Sequence, residues 1–311
     1  MNELQEKKLS KMLSGANVAQ ASGVAYSLAS VLPVFLVFVF LMVVAVTGLG
    51  EDGFMETDWY RYWSFLIPQL SSFFIVAFFI RAKQTSVKEI FRPVSWRYFL
   101  IAVVLQIGLL SLAELNTWFL ELLGKFGYQD DGIAVPSMEG FGFVGVLLVI
   151  AVLPAIFEEL LCRELLLKGL KPFGETFAVL LSGVLFALFH QNPAQTVYQF
   201  CCGATFALVA LKANSALPTM LSHFLNNAFI LIATKYALDM TAIYLPFLIF
   251  SGCCLLGSLS YLLFFDRKKR VEDRGTETPN TLLKKRDFFL FASVGILVYV
   301  LTWISVLLSG V

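Results

Sequence analysis

The sequence predicts an all-α, polytopic transmembrane helical bundle of about eight to nine spans, and three observations carry that reading. Of its 311 residues, 58% are hydrophobic and 14% charged, far more apolar than the roughly 45–50% of a soluble domain. Apolar stretches of about 20 residues, the length that crosses a bilayer core, recur along the whole chain. The basic residues are sorted into alternate connecting segments, as the positive-inside bias requires.

Taken in order, residues 1–20 are polar and mildly basic and read as a cytoplasmic N-terminal segment. The first span, 24–48, is about 25 residues long, well beyond the 7–15 of a signal-peptide core, so it is a helix rather than a cleaved leader. Spans 62–80 and 98–124 complete an N-terminal group within 21–140. A central part, 141–235, holds spans 141–166, 176–192, 195–211 and 217–235. The second and third of these are short, and His190-Gln191-Asn192-Pro193 either joins them or interrupts one longer element. The last part, 236–311, holds spans 242–264 and 288–309 around a basic segment, 265–287. That segment carries eight Lys and Arg with Thr276-Glu277-Thr278-Pro279-Asn280 and reads as a cytoplasmic loop able to lie against anionic headgroups.

With the N-terminus inside, 19 of the 23 Lys and Arg fall on the cytoplasmic side. Arg61, Lys125 and Lys235 fall outside, and Arg163 lies within a span. The chain is therefore expected to be a multi-pass protein of the cell membrane, N-terminus in and C-terminus out. A cysteine placed at 275 should react only with reagents that enter the cytoplasm, and one at 54 with impermeant reagents from outside; the reverse labelling refutes this orientation. The net charge of +1 gives no footing for a nucleic-acid partner. No C-terminal prenylation cysteine is present, and Met1-Asn2 excludes myristoylation. The five cysteines, Cys162, Cys201, Cys202, Cys253 and Cys254, all lie in apolar stretches without a Cys-x-x-Cys, so they read as packing residues rather than a disulfide framework or thiolate metal site.

The chemistry is concentrated between residues 158 and 227. A charge at mid-bilayer costs about 2.5–3.5 kcal/mol on insertion scales, so such groups pair, face a wet cavity or react. Glu159 and Arg163 stand at i and i+4 and can pair, leaving Glu158, about 100° round the helix, to face another neighbour. A carboxylate in apolar surroundings moves toward the proton affinity of a useful base; a salt bridge pinning two spans accounts for the Glu159–Arg163 pair equally well. Phe186 and His190 share one helical face, as do His223 and Asn227. The latter pair can bridge helices or form a donor pair for an oxyanion. Together, a carboxylate, a histidine and a His/Asn donor pair suit hydrolysis by activated water, with no nucleophilic side chain.

These motifs, Glu158-Glu159-x-x-x-Arg163, Phe186-x-x-x-His190 and His223-x-x-x-Asn227, with Phe200-x-x-Gly203 between the second and third, resemble the CAAX protease and bacteriocin-processing family of intramembrane proteases, the Abi or type II CAAX prenyl endopeptidase group. The resemblance covers about 154–228. It implies that Glu158 and His190 activate the attacking water and that His223 and Asn227 stabilise the oxyanion. It further implies that Glu159, Arg163 and Phe186 shape the site. The partners expected are the lipid bilayer and a hydrophobic or membrane-anchored peptide substrate. No cofactor is required, although Glu158, His190 and His223 also make up the carboxylate and two imidazoles of an open zinc site.

The residues exclude other intramembrane proteases: the chain has no His-Glu-x-x-His, Gly-x-Ser-Gly or Gly-x-Gly-Asp. Two other classes stay open, a membrane scaffold or immunity protein acting by partner binding, and a proton-coupled transporter using the same Glu and His residues. The transporter is disfavoured because no internal repeat is found. One tension remains in the span boundaries. Counted from the inside ends at about 1.5 Å per residue, Glu158 and His223 lie roughly 10–12 Å deep but His190 about 20 Å. The site is expected on the cytoplasmic side of the midplane.

Overall fold

The computed structural model describes residues 3–50, 53–82, 84–130, 132–239, 241–266 and 279–310. Most of the basic segment 265–287 therefore lies outside the described residues. Among the described residues the regular structure is entirely helical, and nine long helical elements follow the order read from the sequence: α1 (Glu3–Thr47), α2 (Asp58–Arg81), α3 (Trp96–Gly124), α4 (Gly142–Phe173), α5 (Glu175–Phe189), α6 (Pro193–Ala213), α7 (Leu217–Lys235), α8 (Thr241–Phe265) and α9 (Pro279–Ser309). A one-turn helix, Val87–Ile90, sits between α2 and α3, started by Ser86, whose hydroxyl accepts from the Glu89 amide at 3.2 Å.

Seven of these nine contain stretches long and apolar enough to cross a membrane. The two that do not are α5 and α7. α5 has 15 residues, about 22 Å of helix against the ~30 Å of a hydrocarbon core. α7 has 19, but Thr219, Ser222, His223, Asn226 and Asn227 lower its apolar character. Both are packed by other helices: Ala178, Leu185 and Phe186 of α5 and Thr219, Ser222 and His223 of α7 are all buried. Polar side chains that would be costly against lipid are thus covered by protein.

The break between the two short spans is real. α5 stops at Phe189, Gln191 takes a left-handed φ of 53°, and the Asn192 side chain accepts from the Ala194 amide at 2.8 Å, starting the turn Pro193–Gln195 that opens α6. α5 and α6 consequently form a helical hairpin.

α4 is the central element, touching α1, α2 and α7. It is not a uniform α-helix: Leu147–Val152 and Leu160–Leu166 are π-helical, a departure often found at functional sites. α1 and α9, the first and last spans, pack closely along each other. A Cβ on Gly295 would lie 2.8 Å from the Ser27 Cα, so only glycine permits that approach. Two apolar clusters flank the centre. One joins α1, α4, α5 and α9 through Tyr26, Leu166, Leu185 and Phe288. The other joins α3, α4, α6 and α8 through Leu105, Cys162, Phe206 and Leu262. All five cysteines are free thiols.

Candidate active site

The site grows from the junction of the two helix types in α4. Glu158 and Glu159 end an α-helical stretch, and the π-helical turns that follow carry Arg163. Glu159 has no exposed surface; its Oε2 lies 3.1 Å from Arg163 Nε and its Oε1 3.2 Å from His223 Nδ1. The Arg163 contact is an ion pair of close approach without hydrogen-bond alignment. The guanidinium is held instead by stacking 4.8 Å over the Phe186 ring and 5.7 Å over Phe206, with Nη1 3.4 Å from Ser182 Oγ. The desolvated face-on cation accounts for the two aromatic rings around a buried charge.

Glu158 points elsewhere, as its rotation round the helix requires. Its Oε1 accepts a 2.8 Å hydrogen bond from Gln69 Nε2 on α2. Its Oε2 is buried, meets no protein donor within hydrogen-bond distance, and lies 4.0 Å from His223 Nε2. The imidazole of His223 thus stands between the two carboxylates, bonded to Glu159 and separated from Glu158 by a gap that one water, about 2.8 Å from each atom, can bridge.

His190 caps the C-terminus of α5. Its Nδ1 is 2.8 Å from the Phe186 carbonyl oxygen. A carbonyl only accepts, so the neutral ring carries its proton on Nδ1 and presents the Nε2 lone pair. The rings of His190 and His223 both pack edge-on against Phe186, at 4.7 and 6.1 Å between centroids. Both histidines therefore meet on one ring, although they stand at very different counts from the starts of their helices; the ends of α5 and α7 are not at one level.

Asn227 lies one turn from His223, with Nδ2 donating to the Ile150 carbonyl at 2.7 Å, inside the first π-helical stretch of α4. Its Oδ1 accepts from Asn226 Nδ2 at 3.0 Å. Asn226 Oδ1 in turn accepts from Gln106 on α3 at 2.9 Å and from the Tyr198 hydroxyl on α6 at 2.7 Å. One amide hydrogen of Asn227 is committed to α4 and the other is not.

The structure thus gathers Glu158, Glu159, Arg163, Phe186, His190, His223 and Asn227 at one place. It adds Gln69, Gln106, Tyr198 and Asn226, which the motifs leave out. The available signal was a lone glutamine in each of two apolar spans, since an amide within a membrane is retained where it bonds across helices. Among the described residues, no three His, Cys, Asp or Glu side chains are gathered closely enough to hold a metal ion.

Gly203 shows how tightly the frame is drawn. A Cβ there would lie 2.7 Å from the Phe186 Cβ and 3.0 Å from the Gly183 Cα, so α6 approaches α5 directly beneath the ring that supports both histidines. Gly203→Ala is expected to displace Phe186 at a cost of about 1–3 kcal/mol, the usual penalty of overpacking. The check is thermal unfolding in detergent; an unchanged midpoint overturns the close-packing argument.

An integral, multi-pass helical membrane protein with an ionisable cluster at the centre of its bundle is the class that fold and site define. Residues 140–229 match the family model described as "Type II CAAX prenyl endopeptidase Rce1-like", and that segment supplies every motif residue of the cluster. Over that stretch, 90 of its 311 residues, the chain is similar to this family. No curated protein and no solved structure matches it.

Proposed function

We propose that this chain is an intramembrane endopeptidase that hydrolyses a peptide bond in a membrane-anchored or hydrophobic peptide, in CAAX-type processing or a related maturation, with Glu158 activating the water. The observation that carries the reading is the buried, unpartnered Glu158 Oε2 facing His223 Nε2 across 4.0 Å. A buried carboxylate oxygen without a donor is costly, and a water seated in that gap satisfies it while standing beside a base.

In the proposed reaction the water oxygen bonds to the scissile carbonyl carbon as Glu158 Oε2 takes its proton. The carbonyl π electrons become an oxyanion, held by the uncommitted amide hydrogen of Asn227 together with Nε2–H of a doubly protonated His223, whose Nδ1–H stays on Glu159. Collapse re-forms the C=O bond and breaks the C–N bond, and the proton passes from Glu158 to the departing amine. Gln69 keeps Oε1 bonded, so that Oε2 is the oxygen that reacts. The free Nε2 of His190, whose ring shares Phe186 with that of His223, adds a second basic atom. The Glu159–Arg163 pair supplies His223 with a fixed acceptor on Nδ1, orienting its ring as an orienting carboxylate does in other hydrolytic sites.

Peptides from cells producing the wild-type chain should differ, by mass spectrometry, from those of cells producing Glu158→Ala; identical sets would sink the proposal. Asn227→Ala should lower turnover by about 10²–10³ with substrate binding little changed, the range for loss of one oxyanion donor. Chelators should leave activity intact, because the proposed step uses Glu158 as base and Asn227, an amide that donates well but ligates zinc poorly, as oxyanion donor. Activity lost on chelation and restored by one equivalent of zinc would replace this mechanism with a metal-dependent one.

A further inference from the structure

A polar cavity of about 200 Å³ opens where α4 and α6 end, walled by the segment before α3 and by the turn between α6 and α7. Four cations line it, Arg92, Arg163, Lys168 and Lys171, against two carboxylates, Glu89 and Glu164; Arg163 is neutralised from behind by Glu159, which leaves Lys171 as the excess charge. The carboxylates are already satisfied. Glu164 accepts from the Ala216 amide at 3.2 Å and from Arg92 Nη2 at 2.9 Å. Glu89 Oε2 accepts from Lys168 at 3.0 Å and from Thr85 at 3.3 Å, and the Lys168 hydrogen bond holds the Glu89 carboxyl below its ordinary pKa.

The charged groups left without a partner are cationic. The Lys171 ammonium meets no carboxylate among the described residues. Asn214, in the left-handed conformation at φ 54°, also lines the cavity. Arg163 contributes to the wall, and its buried Nη2 has no partner. Exposure falls from rim to floor: the Lys168 and Arg92 side chains are 36% and 30% exposed, that of Glu164 only 7%. Leu167 and Leu211 add apolar wall beside these charges.

From this imbalance we infer that the cavity is a phosphate-binding site, filled by the headgroup phosphate of an anionic lipid. The donors are the ones that hold oxyanions. The position, at the ends of two membrane-crossing elements, is headgroup level, where basic pockets between helices take acidic lipids. The apolar wall suits the glycerol and first acyl carbons. The assignment does not depend on the peptidase reading.

The test is native mass spectrometry and thermal unfolding of the full chain in detergent, titrated separately with phosphatidylglycerol, phosphatidylcholine and inorganic phosphate. Phosphatidylglycerol should bind at one lipid per chain and raise the unfolding midpoint, with phosphatidylcholine much weaker. Lys171→Gln should weaken that binding about fivefold, the effect of one cation near a charged surface, and Lys171→Arg should restore it. Asn214→Gly keeps the left-handed turn but removes the amide, and should also weaken binding should Lys171→Gln fail to fold. Equal lipid affinity in these variants and the wild type, or equal affinity for phosphatidylcholine, overturns the site. Inorganic phosphate binding as tightly as the lipid overturns the headgroup as its source.

Discussion

Glu158→Gln is expected to lower peptide cleavage by about 10²–10⁴-fold, the contribution of a positioned base, with the folded state unchanged. The glutamine is isosteric, and its carbonyl oxygen can still accept from Gln69 Nε2, the contact Glu158 makes at 2.8 Å. What disappears is the proton acceptor facing His223. The measurement is turnover of a hydrophobic reporter peptide beside thermal unfolding of the same preparation. Wild-type turnover in Glu158→Gln would falsify the assignment of the base, and a collapsed midpoint would show that Glu158 is instead structural.

Glu159→Gln should do the opposite, reducing stability by about 3–5 kcal/mol, the cost of leaving one partner of a buried pair alone. Arg163 and Glu159 side chains are both fully covered, so the orphaned guanidinium keeps its charge without water. It retains only the Phe186 and Phe206 faces and a 3.4 Å contact to Ser182. Removing both charges in Glu159→Gln/Arg163→Met should recover part of that loss, because the penalty comes from the unpaired charge rather than from the missing bond. A double variant as unstable as the sum of its single changes would show that the two residues are not energetically paired.

The helices and the chemical residues were legible in the sequence for one reason: ionisable groups stand out against hydrocarbon. Glu158, Arg163, His190 and His223 are visible because an apolar helix has no other cause to hold them, and the i, i+4 relation of Glu159 and Arg163 survives as a 3.1 Å ion pair. Three things were hidden. The π-helical turns at Leu147–Val152 and Leu160–Leu166 follow from tertiary packing, since the residues there are ordinary helix formers. The span boundaries moved by several residues: α4 runs to Phe173 rather than 166, and the membrane-length stretch of α1 begins at Val18 rather than 24. Lastly, Gln69 and Gln106 each sit alone in an apolar span, and only the fold reveals that one meets Glu158 and the other Asn226.

The hydrogen bond from Gln69 makes the segment that holds the candidate site a poor cassette for exchange. Residues 140–229 contain every acid, imidazole and guanidinium of the cluster, yet the donor that fixes Glu158 Oε1 arrives from α2, 89 positions earlier in the chain. A chimera that grafts this segment alone onto foreign flanking helices leaves that oxygen to whatever side chain happens to lie opposite. The segment should therefore transplant with its geometry only when α2 travels with it, so that the smallest exchangeable unit begins near Asp58 rather than at 140.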